Sequence, residues 1–221
     1  MILMLVQIIA LLRKDLLLEW RQRSALSGMI LYVLCTVMTV YMAFRSPEPV
    51  VWLILFWIIL LFASVNAVAK SFMHEPTARQ LYYYTLVQPQ AVIIAKLLYN
   101  IALLLGLSLV GIGAYSLLLG NPVVDMLLFL GSVVLGAVAF SMCFTLMSAI
   151  ASKAGGQGAT LMPILSLPLM MPILALLIRV SKAAVTGITS SNSGKDVAIL
   201  IAIDGIMCAL SWVLFPYLWK D

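Results

Sequence analysis

Apolar residues fill long stretches of this chain, and polar residues collect in the short connections between them. A helix that crosses the hydrocarbon core of a bilayer needs about 20 mostly apolar residues. Six stretches reach that length, and most are separated by turn-forming runs such as "RSPEP", "GNP", "SKAGGQG" and "TSSNSGK". The pattern therefore predicts six membrane-spanning helices, at about residues 24–44, 50–69, 97–119, 123–151, 159–178 and 197–218.

Composition leads to the same fold class. Hydrophobic residues make up 64% of the chain, charged residues 10%, and the mean hydropathy is +1.16, which is far from the composition of a soluble domain. We therefore expect an all-α integral membrane protein with one membrane domain over residues 1–221. The net charge of +5 and the pI near 9.2 do not indicate nucleic acid, because basic residues collect on the cytoplasmic loops of membrane proteins.

The basic residues also predict the orientation of the spans. Lys and Arg are retained on the cytoplasmic side, so the side with more of them is expected to be cytoplasmic. Nine lie on one side of the six predicted spans and four on the other, which places both termini in the cytoplasm. The first set is Arg13, Lys14, Arg21, Arg23, Lys70, Arg79, Lys96, Lys153 and Lys220; the second is Arg45, Arg179, Lys182 and Lys195.

The first 23 residues, "MILMLVQIIALLRKDLLLEWRQR", mix leucines with charges and are too polar to cross a membrane. Lys14, Asp15, Glu19 and Arg21 lie beside apolar residues, a mixture that is typical of an amphipathic helix at the cytoplasmic membrane interface. The alternative is that the segment merely flanks the first span as a stop-transfer sequence.

Motifs for catalysis are missing from the sequence. It contains no GxxxxGK[ST] loop for nucleotide phosphates, no HExxH, no GxSxG and no pair of carboxylates within a span. Cys35, Cys143 and Cys208 fall in apolar runs without metal-ligand spacing, so we expect buried small side chains and no metal site. An enzyme is therefore not expected.

The connection after the second predicted span, residues 70–96, is the longest polar segment on its side. Lys70, His74, Glu75 and Arg79 are concentrated there, followed by three tyrosines that suit the headgroup region. The segment is built either to contact a partner outside the membrane or to serve only as an interfacial anchor.

Small residues recur at helical spacing in the third and fourth predicted spans. Ala102 with Gly106, and Ser132 with Gly136, form small-xxx-small pairs, which allow helix backbones to approach closely. We therefore expect a neighbouring helix against each pair.

Asp204 is the one carboxylate well inside a predicted span, about 10 Å from its external end. Acids within membranes mark ion or proton pathways by default. Here the acid can equally pair with Lys195 or Arg179 near the membrane surface.

Three prolines interrupt the fifth predicted span, in "MPILSLPLMMPIL". Pro163, Pro168 and Pro172 each remove a backbone donor and clash with the preceding turn, so this span is not expected to be a regular helix throughout. Pro168 and Pro172 lie about 40° apart around the helix and Pro163 lies elsewhere, which predicts a bend at more than one level. A bent span can line a path or change shape, or it can be a static kink filled by packing.

Four stretches, in order along the chain, carry a resemblance to a known family. They are "LLRKDLLLEWRQRSALSG", "FASVNAVAKSFMHE", "AKLLYN" and "LMPILSLPLMMPIL". With six predicted spans they resemble the CcmB family, the haem exporter B proteins that serve as permease subunits of the ABC transporter of cytochrome c maturation.

The resemblance implies an ABC-2-type exporter permease in the bacterial inner membrane, with ATP hydrolysis in a separate cytoplasmic ABC ATPase. It places Lys70, His74, Glu75 and Arg79 in the element that couples to that ATPase. The further implied partners are a haem-handling membrane protein, a very small membrane subunit, a periplasmic haem chaperone and a second copy of this chain. After Glu75 the chain departs from many relatives, which have an acidic, glycine-containing run there, so the ATPase contacts are expected to differ in detail.

The cargo stays open at this point. Haem is the cargo that the family name implies, but ATP can instead drive release of the haem-loaded chaperone, and no residue here is a convincing haem ligand. Other candidate functions are an ABC-2 permease for lipid, glycan or drug, a proton-coupled carrier centred on Asp204, and a purely structural assembly subunit.

Overall fold

The computed structural model describes residues 2–21, 23–69, 88–153, 158–187 and 193–220. Within these ranges the chain is helical apart from short connections, and it forms no strand. Prolines at the first helical position begin two of the helices, and Asp125 caps another by accepting a hydrogen bond from the backbone N–H of Leu128 at 3.1 Å. The helices are α1 (Ile2–Arg21), α2 (Arg23–Ala43), α3 (Pro49–Val68), α4 (Pro89–Leu119), α5 (Met126–Ser152), α6 (Gly158–Thr186) and α7 (Ser193–Lys220).

Six of these helices, α2 to α7, are long and apolar enough to cross a membrane. This confirms the predicted fold class: the chain is a multi-pass, all-α membrane protein. The charged segment before the first span forms a helix of its own, α1. It carries too many charged residues to be a candidate span.

The centre of the bundle is α5, which contacts α3, α4, α6 and α7. Large aromatic side chains fill the space around it: Trp52, Trp57, Phe129 and Phe140 are all at most 1% exposed. Their rings meet in tilted and edge-on arrangements, such as Trp57 against Phe140 with centroids 6.1 Å apart, which are favourable geometries for aromatic pairs.

Hydrogen bonds between side chains join three helices at this centre. The indole N–H of Trp57 donates to the Ser181 hydroxyl at 3.1 Å, and that hydroxyl lies 2.9 Å from the hydroxyl of Ser132. The pair Ser132 and Gly136 faces this contact, and a Cβ atom at Gly136 would lie 2.5 Å from the Trp57 ring. Close helix approach at this pair is therefore confirmed. The pair Ala102 and Gly106 differs, because nothing lies within 4 Å of a Cβ atom built at Gly106.

Two helices extend about eight residues past a predicted boundary at one end. α4 begins at Pro89 rather than near residue 97, so the last part of the expected polar connection is helical and Lys96 lies within the helix. α6 continues to Thr186 rather than ending near residue 178, so Arg179 and Lys182 also lie within a helix. Hydropathy places a boundary at the first charges, but a helix extends past a basic residue whose charge finds an ion partner or reaches the surface.

The three prolines of α6 do not interrupt it. The helix is continuous from Gly158 to Thr186 with Pro163, Pro168 and Pro172 inside, so the chain keeps its helical conformation through the segment where irregularity is expected. In the last turn the carbonyl of Ala184 accepts hydrogen bonds from the backbone N–H groups of Val124 and Asp125, which ties the end of α6 to the start of α5. The bend at these prolines stays a prediction.

The expectation of three buried cysteines is wrong for two of them. Cys143 is buried, whereas Cys35 and Cys208 are exposed on the outside of the bundle, and all three are free thiols. The outside of a membrane bundle is itself apolar, as Leu31, Leu117 and Ile206 show here, so an apolar run does not predict burial inside the protein.

Candidate functional site

The site best defined by the structure is the junction between α1 and the first turns of α4. α1 has two different faces, because its buried and exposed residues alternate at helical spacing. Ile8, Leu11 and Asp15 are buried against the bundle. An apolar stripe on the other side is exposed, which is the pattern of a helix that lies in a membrane interface. The stripe consists of Leu5, Val6, Ile9, Leu16 and Leu17.

Apolar contacts hold the buried face of α1 in place. Ile8 and Leu11 belong to a cluster that is separate from the aromatic centre of the bundle. Their partners are mainly small or branched residues at the start of α4, including Ala91 and Val92, together with Phe215 of α7. α1 is therefore packed directly on α4, the helix that follows residues 70–87.

A buried carboxylate strengthens this junction. Asp15 is 7% exposed and accepts from two lysines: its Oδ1 is 2.9 Å from Nζ of Lys14, and its Oδ2 is 3.3 Å from Nζ of Lys96. Lys96 is itself 7% exposed, so the ion pair between α1 and α4 is shielded from solvent. A buried acid or base is tolerated when it is paired, and this ion pair gives each of the two residues a partner of opposite charge.

The same junction lies next to the expected coupling segment. The backbone N–H of Gln88, the first described residue after 87, lies 3.5 Å from Oε1 of Gln7 on α1 and donates to it. Lys70, His74, Glu75 and Arg79, the residues predicted to couple to an ATPase, fall outside the described residues. Their predicted role stays a prediction, but the chain leaving their segment enters α4 beside α1.

A second acid of α1 lies one turn after Asp15. Glu19 is a near neighbour of the Tyr99 hydroxyl on α4, within reach of a weak hydrogen bond. The geometry falls short of an ordinary hydrogen bond, and Oε1 of Glu19 and the Tyr99 hydroxyl are both buried without a partner among the described residues. Arg21, also predicted for this helix, is exposed.

From this junction, polar contacts continue into the centre of the bundle. Asn100 of α4 donates through Nδ2 to the hydroxyl of Thr145 on α5 at 2.8 Å, and both side chains are buried. The Ser141 hydroxyl of α5 donates to the carbonyl of Leu97 at 3.2 Å. Hydrogen bonds between membrane helices are each worth about 1 kcal/mol, so α4 is fixed both to α1 and to α5.

Asp204, the predicted intramembrane acid, is buried in α7 at 7% exposure. Its Oδ1 has no hydrogen-bond partner, and neither Lys195 nor Arg179 forms an ion pair with it, as far as the described ranges extend. Lys195 is nine residues away on the same helix, about 13 Å along its axis, which explains why the two do not meet. Local pairing of Asp204 with these two residues is therefore not found.

Sequence analysis missed the importance of Lys96 and Tyr99. Lys96 was expected in a loop, and Tyr99 was noticed only as part of "AKLLYN". A signal was nevertheless present, because Asp15 and Glu19 are four residues apart and Lys96 and Tyr99 are three apart, so each pair lies on one helix face. Two acids on one helix and a base and a hydroxyl on another form a complementary set once the helices are adjacent.

The comparisons with known proteins identify a family. The family model described as "CcmB protein" matches residues 6–217, which is nearly the whole chain. A search of curated proteins finds no match.

Proposed function

The chain belongs to the CcmB protein family, and from that premise we propose that it is the permease subunit of an ABC transporter that serves cytochrome c maturation. In this role it converts closure of partner ATPase subunits into movement of its helix bundle. The result is delivery of haem to c-type cytochromes, either by export of haem or by release of a haem-loaded chaperone. The match over residues 6–217 is the observation that carries this proposal.

The proposal sets the location and the partners. α1 and residues 70–87 lie on the cytoplasmic side of a bacterial inner membrane, where the ABC ATPase binds and hydrolyses ATP. The periplasmic side serves the haem chaperone, and the haem-handling membrane protein and the very small membrane subunit contact the bundle. Two copies of the chain form the transporter. No cofactor is bound directly by this chain, and haem is its cargo at most.

The described contacts support a mechanical path for the coupling. In this path, a displacement of residues 70–87 is transmitted to α4 at Pro89, where that helix begins. The ion pair of Asp15 with Lys96 joins α4 to α1. Because a shielded ion pair and a packed apolar cluster connect the two helices, α1 and the first turns of α4 move as one unit. The contacts of Asn100 with Thr145 then carry the displacement to α5 at the centre.

The function is tested first by covalent haem staining of c-type cytochromes in a strain that lacks this protein, with apocytochrome levels checked by blotting. Loss of haem staining with apocytochrome still present supports the proposed function. Normal staining would contradict it and leave an ABC-2 permease for lipid, glycan or drug.

The coupling step is tested by charge reversal of both Glu75 and Arg79. Reversal is expected to leave membrane insertion intact and to abolish the ATP hydrolysis that the permease stimulates. Arg45 and Glu48 provide a matched control, because they are exposed in the connection between α2 and α3, at the opposite end of the bundle. Unchanged hydrolysis in the Glu75 and Arg79 variant would overturn the coupling role, and equal hydrolysis without the whole segment would favour a structural assembly subunit.

A proton-coupled carrier is the second candidate function. It is favoured by the carboxyl of Asp204, which is buried and has no basic partner among the described residues. Asp204→Asn keeps the size of the side chain and removes its ability to exchange a proton. A proton-coupled carrier loses transport in this variant, whereas an ABC permease retains cytochrome haem attachment.

A further inference from the structure

A cavity of about 320 Å³ lies where α1, α2 and α4 meet. α1 and α2 both pack on α4 but touch each other at few positions, and this leaves a wedge between them. On the α4 side few atoms project into the cavity, because Ala102 has a small side chain and Gly106 has none. Nothing lies within 4 Å of a Cβ atom built at Gly106. Ala102 and Gly106, which were expected to pack against a neighbouring helix, therefore face open space in this structure.

The cavity has one polar end and an apolar body. Glu19 and Tyr99 line it at the level of α1, and beyond them the wall is formed by apolar side chains such as Ile30 of α2 and Val110 of α4. From Tyr99 to Val110 the axis of α4 rises about 16 Å. The shape is therefore that of a slot which enters the bundle from the interfacial helix and runs along a span.

The polar end favours a hydrogen-bond donor that carries positive charge. Glu19 is half-buried, and its Oε1 is enclosed without a partner among the described residues, so a donor that reaches this oxygen is favoured, and a positively charged donor most of all. The two nearby lysines, Lys14 and Lys96, both form ion pairs with Asp15. Tyr99 is 9% exposed, and its hydroxyl lies beside the carboxylate without a partner among the described residues, so it can donate to a bound group.

The apolar body fits a hydrocarbon chain. Apart from Glu19 and Tyr99 the slot is lined by apolar residues, and it is partly open to the outside of the bundle. An acyl chain is the apolar group that a bilayer supplies beside a membrane helix.

We propose that this slot is a binding site for a phospholipid with a primary ammonium headgroup, of the phosphatidylethanolamine type. The ammonium donates to the Glu19 carboxylate, the Tyr99 hydroxyl donates to an oxygen of the headgroup or ester, and one acyl chain lies along Ile30, Gly106 and Val110. Bound lipid then fills the wedge between α1 and α2 and supports the junction of α1 with α4. The site does not depend on the proposed role in haem delivery.

The test uses the full-length protein in detergent with three lipids that share the same acyl chains. Phosphatidylethanolamine offers N–H donors and a positive charge, phosphatidylcholine offers the charge without N–H donors, and phosphatidylglycerol has neither. Retention in native mass spectra and the increase in the unfolding midpoint are measured for each lipid. We expect phosphatidylethanolamine to bind about tenfold more tightly than the others, as the loss of one hydrogen bond to a charged group predicts.

Matched variants locate the site. Glu19→Gln is expected to remove the preference for phosphatidylethanolamine, whereas Glu48→Gln, which changes an exposed carboxylate far from the slot, retains it. Gly106→Leu fills the slot and is expected to weaken retention of phosphatidylethanolamine about tenfold. Gly113→Leu is its control, because this glycine of α4 also has open space around it but does not line the slot.

Three results would overturn the proposal. Equal retention of the three lipids by the unsubstituted protein would exclude recognition of the ammonium group. Unchanged lipid retention in both Glu19→Gln and Gly106→Leu would exclude this location. Loss of a co-purifying membrane subunit from Gly106→Leu, with lipid retention unchanged, would assign the slot to a protein helix instead.

Discussion

At the scale of single residues, Gly136 shows how tightly the centre of the bundle is built. Trp57 lies against the glycine backbone and is fully buried, and its indole N–H donates a hydrogen bond to the Ser181 hydroxyl. A methyl group at Gly136 would lie 2.5 Å from the ring and 3.2 Å from Leu177, so one of these buried side chains would have to move. The ring cannot move far without losing the hydrogen bond that joins α3 to α6.

Gly136→Ala is therefore expected to destabilise the protein by about 1–3 kcal/mol, the usual cost of an overpacked core. The midpoint of thermal unfolding in detergent, followed by tryptophan fluorescence, measures the effect. Gly131→Ala is the matched control on the same helix, because nothing lies within 4 Å of its Cβ position. Equal midpoints for the two variants would show that the contact with Trp57 relaxes without cost.

At the scale of helices, the structure describes two features that bear on movement: the docking of α1 on α4 and the prolines of α6. The docking depends on Asp15, because this acid holds Lys96 while apolar contacts of Ile8 and Leu11 surround it. Removing one partner of a shielded pair leaves the other charge unpaired, which costs more than removing both.

Lys96→Leu is expected to destabilise the protein by on the order of 3 kcal/mol and to release α1, because Asp15 then keeps only the partly exposed Lys14. The double variant with Asp15→Asn is expected to lose less than the sum of the two single variants. Unfolding midpoints and amide hydrogen exchange in α1 measure both effects. Arg13→Leu, which removes an exposed charge of α1, serves as the control, and additive costs would show that the pair is not coupled.

Replacing both Pro168 and Pro172 by alanine tests whether α6 must bend. Alanine is the better helix former by about 3 kcal/mol per site, so the unfolding midpoint is expected to stay the same or to rise. Covalent haem attachment to cytochromes is expected to fall, because a straighter α6 resists the change of shape. Pro216→Ala, in α7, controls for proline removal as such. Full activity in the double variant would show that the prolines have only a structural role.

At the scale of the whole molecule, six candidate spans predict that the two termini of the chain lie on the same side of a membrane. The excess of basic residues on that side predicts that it is the cytoplasmic side. Arg179 and Lys182 lie in the last turns of α6, toward the other predicted side, so the predicted balance of nine to four does not change.

Reporter fusions check this topology. Green fluorescent protein at the C-terminus is expected to fluoresce, and alkaline phosphatase inserted between α4 and α5, at Asn121, is expected to be active. These results follow if the C-terminus is cytoplasmic and this connection is periplasmic. The reverse pattern would place α1 and residues 70–87 outside the cell and would contradict coupling to a cytoplasmic ATPase.

The sequence by itself determined the membrane class, the six spans and the separate helix α1, because hydropathy over 20 residues depends only on composition and length. It also predicted the close approach at Gly136, since small residues at helical spacing favour it. Lys96 and Tyr99 were not recognised, because their neighbours Asp15 and Glu19 are about 80 residues away in sequence and only the packing of α1 on α4 brings them close. For the same reason only the tertiary structure decided that Gly106 borders a cavity and that no basic residue in the described ranges pairs with Asp204. Which neighbours a side chain meets depends on how the helices pack.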